Sequence, residues 1–423
     1  MKTNVTSDPA ASGSPSTLYV GLAQDGGNPA LSVGLLKLAR DGVMESGEFA
    51  YGRRYLRAPS SFPLNPDLLP LRDAPFPLTT RRLRDGGALP LTLRDALPDS
   101  WGRKVLEIQQ GRPLTDVEAL LLTNEDRVGA MVFASELPIR TRAPATALLS
   151  LEELAGASQR IEAGLPVTQR MQQLLRGGSL GGARPKATFI HDGKRHIAKF
   201  TSRGDGHDME VVEAVTLDLA QLCGIEVPPF VLQPLAVGHA LLLQRFDRTG
   251  DVDVEHRHHY LSASALLDVP YESSRGSYVE LAQTLRRISH RPAQDLPELF
   301  RRMVFNLVIG NSDDHVKNHG VLHVDGKGWQ LAPAFDLVAQ IDGHTGYQEL
   351  AILPGQHASS LALARLAAPH FGLLEDQAES VFRLTSDVVA KSLGSVFEAR
   401  SENTTLLRLF TDFVESQRQR IAA

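Results

Sequence analysis

A single cysteine, Cys223, stands in 423 residues. That excludes an intrachain disulfide framework and any metal site built from several thiolates. It lies in the apolar-patterned stretch LDLAQLCGI, where a packing role is favoured over catalysis. No run of about 18 apolar residues occurs, so no transmembrane helix and no membrane association are expected. The opening stretch MKTNVTSDPAASGSPST lacks the apolar segment of a signal peptide. A disordered tail over residues 1–17 and a cytoplasmic location follow as expectations. Positive charge is not in excess: 44 Lys and Arg against 49 Asp and Glu give a net charge of -5 and a pI near 6.3. No global field therefore favours nucleic acid, although a local basic face is not excluded. Internal repeats are missing, and so is low complexity outside the tail.

Apolar material is ample. Hydrophobic residues make up 42% and charged residues 22% of the chain, which suits a packed core with an ordinary surface. At roughly 150 residues per domain the length allows two or three domains. Residues 18–38 read as two strands, LYVGLA and ALSVGLLKL, around a Gly-Gly-Asn-Pro turn, with GEFAYG as a third. Residues 58–97, rich in proline and without a sustained period, read as loops over that small sheet. From Pro98 the period turns helical: DSWGRKVLEIQQG closes at Gly111, and LTDVEALLLTN starts from Thr115 as N-cap. A basic linker at Arg140 to Pro144 precedes SLEELAGASQRIEAG, which opens on a capping box. A helix over QRMQQLLRG follows.

The pattern then changes again. KATFI and RHIAKF flank an Asp192-Gly193 hairpin turn. MEVVEAVTLDLAQLCG is an amphipathic helix ending at Gly224, and VPPFVLQPL and ALLLQRFDR are two further strands. After Asp251 the chain is mostly helical. A β-rich half followed by a helical half predicts a two-lobed layout.

The densest chemistry lies in NSDDHVKNHGVLHVDGKGWQLAPAFD, Asn311 to Asp336. Asp313 precedes Asn318 by five residues, the spacing of base and metal-binding Asn in protein kinases, and Asp336 follows in an Ala-Phe-Asp turn. Phosphoryl transfer from ATP needs a carboxylate to orient the attacking hydroxyl, with an Asn and an Asp to hold Mg²⁺. On that reading Asp313 is the base, and Asn318 and Asp336 are the metal ligands. The alternative is a polar turn in which these side chains bond their own backbone.

Other candidates stand upstream. Gly177, Gly178, Gly181 and Gly182, followed by Lys186, suit a loop whose backbone N–H groups approach phosphate, or else a flexible hairpin. It is not a Walker A loop. Lys199 in the strand IAKF is either an edge-strand lysine or the lysine that grips the α- and β-phosphates. Glu213, on the next helix, either pairs with it or lies on a solvated face beside Glu210 and Asp218. Gln244, Arg245 and Phe246 end the last strand where a hinge would meet adenine, and Phe246 could equally be core. His256, His258 and His259 read as a solvated loop rather than a metal site. Arg81, Arg82 and Arg84 read as a solvated basic face.

Five stretches in this order resemble the pattern of the HipA family of serine/threonine kinases, toxins of bacterial type II toxin–antitoxin pairs. They are SLGGARPKA from Ser179, IAKF around Lys199, QRFDR from Gln244, NSDDHVKNH from Asn311 and LAPAFD ending at Asp336. LPDSWGRKVL and NEDRVGAMVF resemble the family's small N-terminal subdomain, so the likeness spans nearly the whole chain.

The resemblance implies an α+β, two-lobed kinase-like fold. A subdomain at 18–140 would precede a β-rich N-terminal lobe at 141–248 and an all-α C-terminal lobe at 249–423. Gly181, Gly182, Ala183, Arg184, Pro185 and Lys186 would cover the phosphates of ATP, with Lys199 beneath them. Gln244, Arg245 and Phe246 would hold adenine, and His315, Lys317, Asn318, Phe335 and Asp336 would line the nucleotide. Ser179 matches the serine that family members autophosphorylate, and a charge of about -2 there would repel ATP phosphates and silence the enzyme. The implied partners are a helix-turn-helix antitoxin of HipB type and, through it, operator DNA. The implied protein substrate is an aminoacyl-tRNA synthetase, the glutamyl enzyme by family default, whose modification blocks translation and brings growth arrest or persistence.

Two positions depart from the pattern: Gln244 stands where a Glu is familiar, and Tyr260-Leu261-Ser262-Ala263 replaces a Glu-Asp pair. They mark a divergent branch. The competing reading from another class is an antitoxin-binding co-repressor or DNA-associated module with little kinase activity; a small-molecule phosphotransferase is a third.

Overall fold

The computed structural model describes residues 16–24, 29–123, 127–140, 150–166, 168, 184–270, 273–343 and 346–422. The expected strands form an antiparallel sheet. Strands β1 (Ser16–Leu22), β2 (Leu31–Asp41) and β3 (Met44–Tyr51) are joined by β4 (Phe76–Arg82) and β5 (Met131–Ala134) in the order β4-β3-β2-β1-β5. β1 begins two residues inside the stretch expected as tail. β4 lies in the proline-rich segment expected as loops: Phe76 pairs with Phe49 and brings its ring into the sheet's core, a non-local contact that no local period shows.

Helix α1 (Ser100–Gln110) lies in the stretch read as helical from Pro98, and α2 (Asp116–Leu122) starts where its Thr115 cap predicts. Asp99 accepts from Gly102 N, and Thr115 and Glu118 form a capping box. Helix α3 (Leu151–Glu162) opens on the Ser150–Glu153 box. The helix expected over QRMQQLLRG lies outside the described residues. Trp101 and Val105 of α1 are buried with α3 against a second sheet, so this helix shares a core with the strands that follow.

The second sheet contains β6 (Lys186–His191), β7 (Lys194–Phe200), β8 (Phe230–Pro234) and β9 (His239–Gln244), ordered β6-β7-β9-β8. Its first hairpin turns at Asp192 and Gly193, with φ of 48° and 72°, the left-handed pair that a two-residue turn requires. Helix α4 (Met209–Leu222) packs on β8 and β9. The helical half follows: α5 (Ala263–Leu267), α6 (Tyr278–Ile288), α7 (Pro292–Ile309), α8 (Leu361–Ala367), α9 (Glu375–Glu398) and α10 (Thr404–Ala422). α7 is the central helix, with Leu299, Phe300, Val304, Phe305 and Val308 at 0% exposure. α9 reaches α4, and Arg400 just beyond it clasps Asp218 at 2.7 and 2.9 Å.

The α+β layout is as expected, but the second half is not all helix. β12 (His259–Ser262), β13 (Gly320–Val324) and β14 (Gly328–Leu331) form a three-stranded sheet there, after the short strands β10 (Arg248–Thr249) and β11 (His256–Arg257). Their pairing joins residues some sixty positions apart, a contact that local pattern does not reveal. Of the three histidines expected in a solvated loop, His256 lies in β11, His258 between the strands and His259 in β12 of this sheet. His259 is buried and donates to Leu64 O at 2.9 Å, and Phe62 stacks on His323 with ring centres 3.7 Å apart.

α7 ends at Gly310, with φ of 69°, directly before the acidic cluster. A Cβ at Gly310 would lie 2.7 Å from the Phe413 ring of α10, whereas Gly111, with φ of 66°, has open space around it. We expect Gly111→Ala to lose about 1 kcal/mol from backbone strain alone. Gly310→Ala adds overpacking and should lose roughly 2–4 kcal/mol in urea unfolding. Equal losses would rule out the clash.

Candidate active site

The site forms where the hairpin β6–β7, helix α4 and the two loops flanking β13–β14 meet. Lys199 Nζ is 2.6 Å from Glu213 Oε1 and 2.6 Å from Asp336 Oδ1. Glu213 is therefore not on a solvated face, and neither is its neighbour Glu210, which accepts from Thr201 Oγ1 at 2.8 Å. Burial opposes the charge on Lys199, but the Asp336 and Glu213 carboxylates outweigh it and raise its pKa. Burial likewise works against ionised Asp336, yet Lys199 and then Lys186 hold its carboxyl well below the usual range. Burial dominates at Glu213 and pushes it up against the pull of Lys199. Asp336 itself has φ of 58°, a left-handed conformation that Asp tolerates better than most residues and that marks a constrained position.

The adjacent carboxylates of the acidic cluster have opposite fates. Asp314 is buried: it accepts from the Tyr278 hydroxyl, and His319 Nε2 lies 2.8 Å from its Oδ1. Asn306 extends this network to Tyr278 OH at 3.1 Å, and Asn311 reaches Asn306 at 3.2 Å. Asp313 is exposed. Loss of solvent around its carboxyl, with Asp336, Glu349 and Asp314 nearby, raises its pKa, and His315 pulls the other way. Asn318 donates from Nδ2 to the Asp313 carbonyl at 3.1 Å, so its amide oxygen is the atom that could ligate a metal. Amide and carboxylate oxygens from Asn318 and Asp336 suit Mg²⁺, which keeps several waters and takes phosphate oxygens for the rest. Among the described residues no group of three or more His, Cys, Asp or Glu could hold a metal ion by itself.

Phe335 stacks on Phe246 with ring centres 5.3 Å apart, beside Tyr260 at 5.9 Å from Phe246. These rings, with Leu322 and Ala332, form an apolar cluster at the hinge. The other hinge candidates sit differently. Gln244 N donates to Pro229 O at 2.8 Å and Arg245 N to Arg195 O at 2.9 Å, so both N–H groups are taken. The Arg245 side chain is fully buried on Asp247, at 2.7 and 2.9 Å, and on Arg127 O at 2.8 Å. It fastens the segment from Arg127 to the hinge and is turned into the protein rather than to solvent.

Arg184 pairs with Asp205 and lies 3.6 Å from Glu210, and Pro185 O accepts from Phe200 N at 3.0 Å. Lys186 is buried and 3.3 Å from Asp99. His315 acts electrostatically on Asp313 and Asp336, and the exposed Lys317 on Asp95 and Asp99. Ser179, Gly181, Gly182 and Ala183 lie outside the described residues. Asp95, Asp99 and Trp101 were not among the sequence candidates. LPDSW was read as a helix start, which is its local signal; its contact with the second sheet is tertiary. A separate cleft of about 710 Å³ lies beside the N-terminal sheet, lined among others by Arg40, Arg94, Arg103 and Asp116, and no catalytic candidate lines it.

Residues 178–393 match the family model of the HipA-like C-terminal domain. A Sinorhizobium fredii protein named as a kinase, Y4mE, is 29% identical over 324 residues, 69% of this chain and 72% of that protein. The serine/threonine-protein kinase toxin HipA of Shewanella oneidensis is 25% identical over 315 residues, 65% of this chain and 69% of that protein. A solved structure of the HipA, HipB and operator DNA complex of Shewanella oneidensis MR-1 contains a chain of the same fold. The match has a TM-score of 0.66 at 19% identity and covers 95% of this chain and 97% of that one.

Two outcomes test this geometry. Asp314→Ala should cost roughly 2–4 kcal/mol in chemical unfolding because it orphans buried partners, whereas Asp313→Ala should stay within about 0.5 kcal/mol; similar costs would contradict the division of roles. Asp95 accepts from Ser262 N and Ser262 Oγ, both at 2.7 Å, and burial pushes its pKa up to about 6. A folded pKa above the unfolded one means that the folded chain binds the extra proton, so this contribution to stability is lost as pH rises through about 6. Relative to Asp95→Asn, wild type should therefore lose stability between about pH 4 and pH 6, with little further change above about pH 7. Parallel pH profiles would refute the shift.

Proposed function

Because the chain belongs to the family of the HipA-like C-terminal domain and has its two-lobed kinase-like fold, we propose that it is an ATP- and Mg²⁺-dependent serine/threonine protein kinase of a toxin–antitoxin pair. The observation that carries this reading is the convergence of Lys199, Glu213 and Asp336 within 2.6 Å contacts, with Asp313 and Asn318 on one loop beside them. Lys199, kept charged by its two carboxylates, is suited to anchoring the α- and β-phosphates. Asn318 and Asp336 would hold Mg²⁺, which neutralises phosphate charge when bound.

Asp313, exposed at the cleft, is the base. Its carboxylate takes the proton of the acceptor hydroxyl while that oxygen bonds to the γ-phosphorus, and the bond to the β,γ-bridging oxygen breaks to release ADP. The elevated pKa of Asp313 suits a proton acceptor. Phe246 and Phe335 offer apolar faces for adenine, with backbone carbonyls rather than the N–H groups of Gln244 and Arg245 as hinge contacts. The finer assignments follow the family. Ser179 is the site of silencing autophosphorylation, an aminoacyl-tRNA synthetase is the protein substrate, and a helix-turn-helix antitoxin links the chain to operator DNA. The Shewanella HipA structure, in complex with HipB and operator DNA, supports that choice of partners.

The test is intact mass after incubation with ATP and Mg²⁺, on protein shown to start unphosphorylated. Wild type should gain one phosphate, mapped to Ser179, and Asp313→Asn none. Phosphate on neither, together with no transfer to a tRNA synthetase, would reject the kinase reading; transfer by Asp313→Asn at the wild-type rate would reject Asp313 as the base.

A further inference from the structure

Lys186 and Lys199 are directly paired residues of β6 and β7, so their side chains leave the same face of the sheet. Two ammonium groups so placed repel. Lys186 is also only 3% exposed, a desolvation cost that a strand lysine ordinarily avoids by reaching to water. Lys199 offsets these costs with Glu213 and Asp336. Among the described residues, the one carboxylate within ion-pair reach of Lys186 comes from outside the sheet: Asp99 Oδ2 lies 3.3 Å from its Nζ. The other Asp99 oxygen caps α1, accepting from Gly102 N at 2.6 Å. Two positions on, the Trp101 indole donates to the carbonyl of Lys186 itself at 2.9 Å.

One helix start therefore holds both the backbone and the side chain of this lysine. The Asp99 contact is looser than the 2.6 Å contacts of Lys199, and an ammonium has three donors, so Lys186 retains capacity for an anion. Its pairing with Lys199 puts it on the sheet face where Lys199 meets Asp336, and burial lowers its pKa against the pull of Asp99 and Asp336.

We propose that Asp99 is a positioning residue of the nucleotide site, holding the Lys186 ammonium beside that of Lys199 so that helix α1 completes a two-lysine seat for the phosphates. This rests on the ATP reading above and deepens it: the N-terminal region becomes a part of the active site rather than an appendage. A nucleotide bound there should sense any change in how α1 docks.

Asp99→Asn keeps a good helix cap and removes the charge, which separates positioning from capping. Affinity for Mg²⁺·ADP, measured by titration calorimetry, needs no turnover. Wild type, Asp99→Asn, Lys186→Met and the double variant are compared, with thermal unfolding of each. Asp99→Asn should bind roughly tenfold more weakly and unfold at a lower Tm, because Lys186 loses its buried partner, while staying folded at the titration temperature. The double variant should be no weaker than Lys186→Met, because a residue that acts through Lys186 then has nothing left to hold.

Unchanged affinity in Asp99→Asn, or full additivity in the double variant, overturns the proposal. Asp99→Ser, another strong cap without charge, replaces Asp99→Asn if that variant folds poorly. Wild type that binds no nucleotide overturns the ATP reading, and this role with it. Wild type that binds Mg²⁺·ADP but transfers no phosphate from ATP counts against the kinase reading alone, and the titration still decides the role of Asp99.

Discussion

Three separate pieces of the chain meet on one ammonium group. Lys199 comes from β7, Glu213 from α4 and Asp336 from the loop after β14. A charge out of water is tolerated when it is closely paired, and removing one partner of such a pair typically costs about 3–5 kcal/mol. The contact therefore does two things. It sets the second sheet and its helix against the helical half, and it keeps Lys199 and Asp336 ionised where phosphates and a metal ion would need them charged.

The loop that faces this pair depends on a different device. Asp313 and Asp314 are neighbours, and the buried bonds of Asp314 to Tyr278 and His319 turn Asp313 outward. Asn306 ties the same network to the end of α7, where Gly310 lets the chain leave the helix close under Phe413. The position proposed as the base is thus held by residues outside the candidate set. The N-terminal region is fastened by a comparable buried set: the carbonyls of Arg127 and Gly129 accept from Arg245, Arg248 and Arg257, and Asp247 accepts from Gly129 N. A hinge anchored in this way has its N–H groups committed, which explains why Arg245 is a fastening residue.

Much of this was legible beforehand. Thr115, Ser150 and Asp192-Gly193 place caps and a turn where the structure has them, because caps and two-residue turns depend on neighbours in sequence. Lys199, Glu213 and Asp336 were legible as a set because their order and spacing follow a chemical requirement. β4, the β12–β14 sheet and the buried histidines were not, since each is stabilised by a partner far along the chain. His259 looked like a solvated residue and is buried against Leu64.

The sequence alone determined which side chains are candidates for chemistry, which segments repeat with a helical or strand period, and the α+β order of the two halves. Those features are written in composition, spacing and local capping. Tertiary structure decided which of two adjacent aspartates is free, that Arg245 is buried on Asp247, and that Asp99 and Trp101 of an N-terminal helix reach Lys186. The reason is physical: burial and ion pairing depend on distances in space, and residues 87 positions apart share a contact only once two sheets and a helix have packed around it.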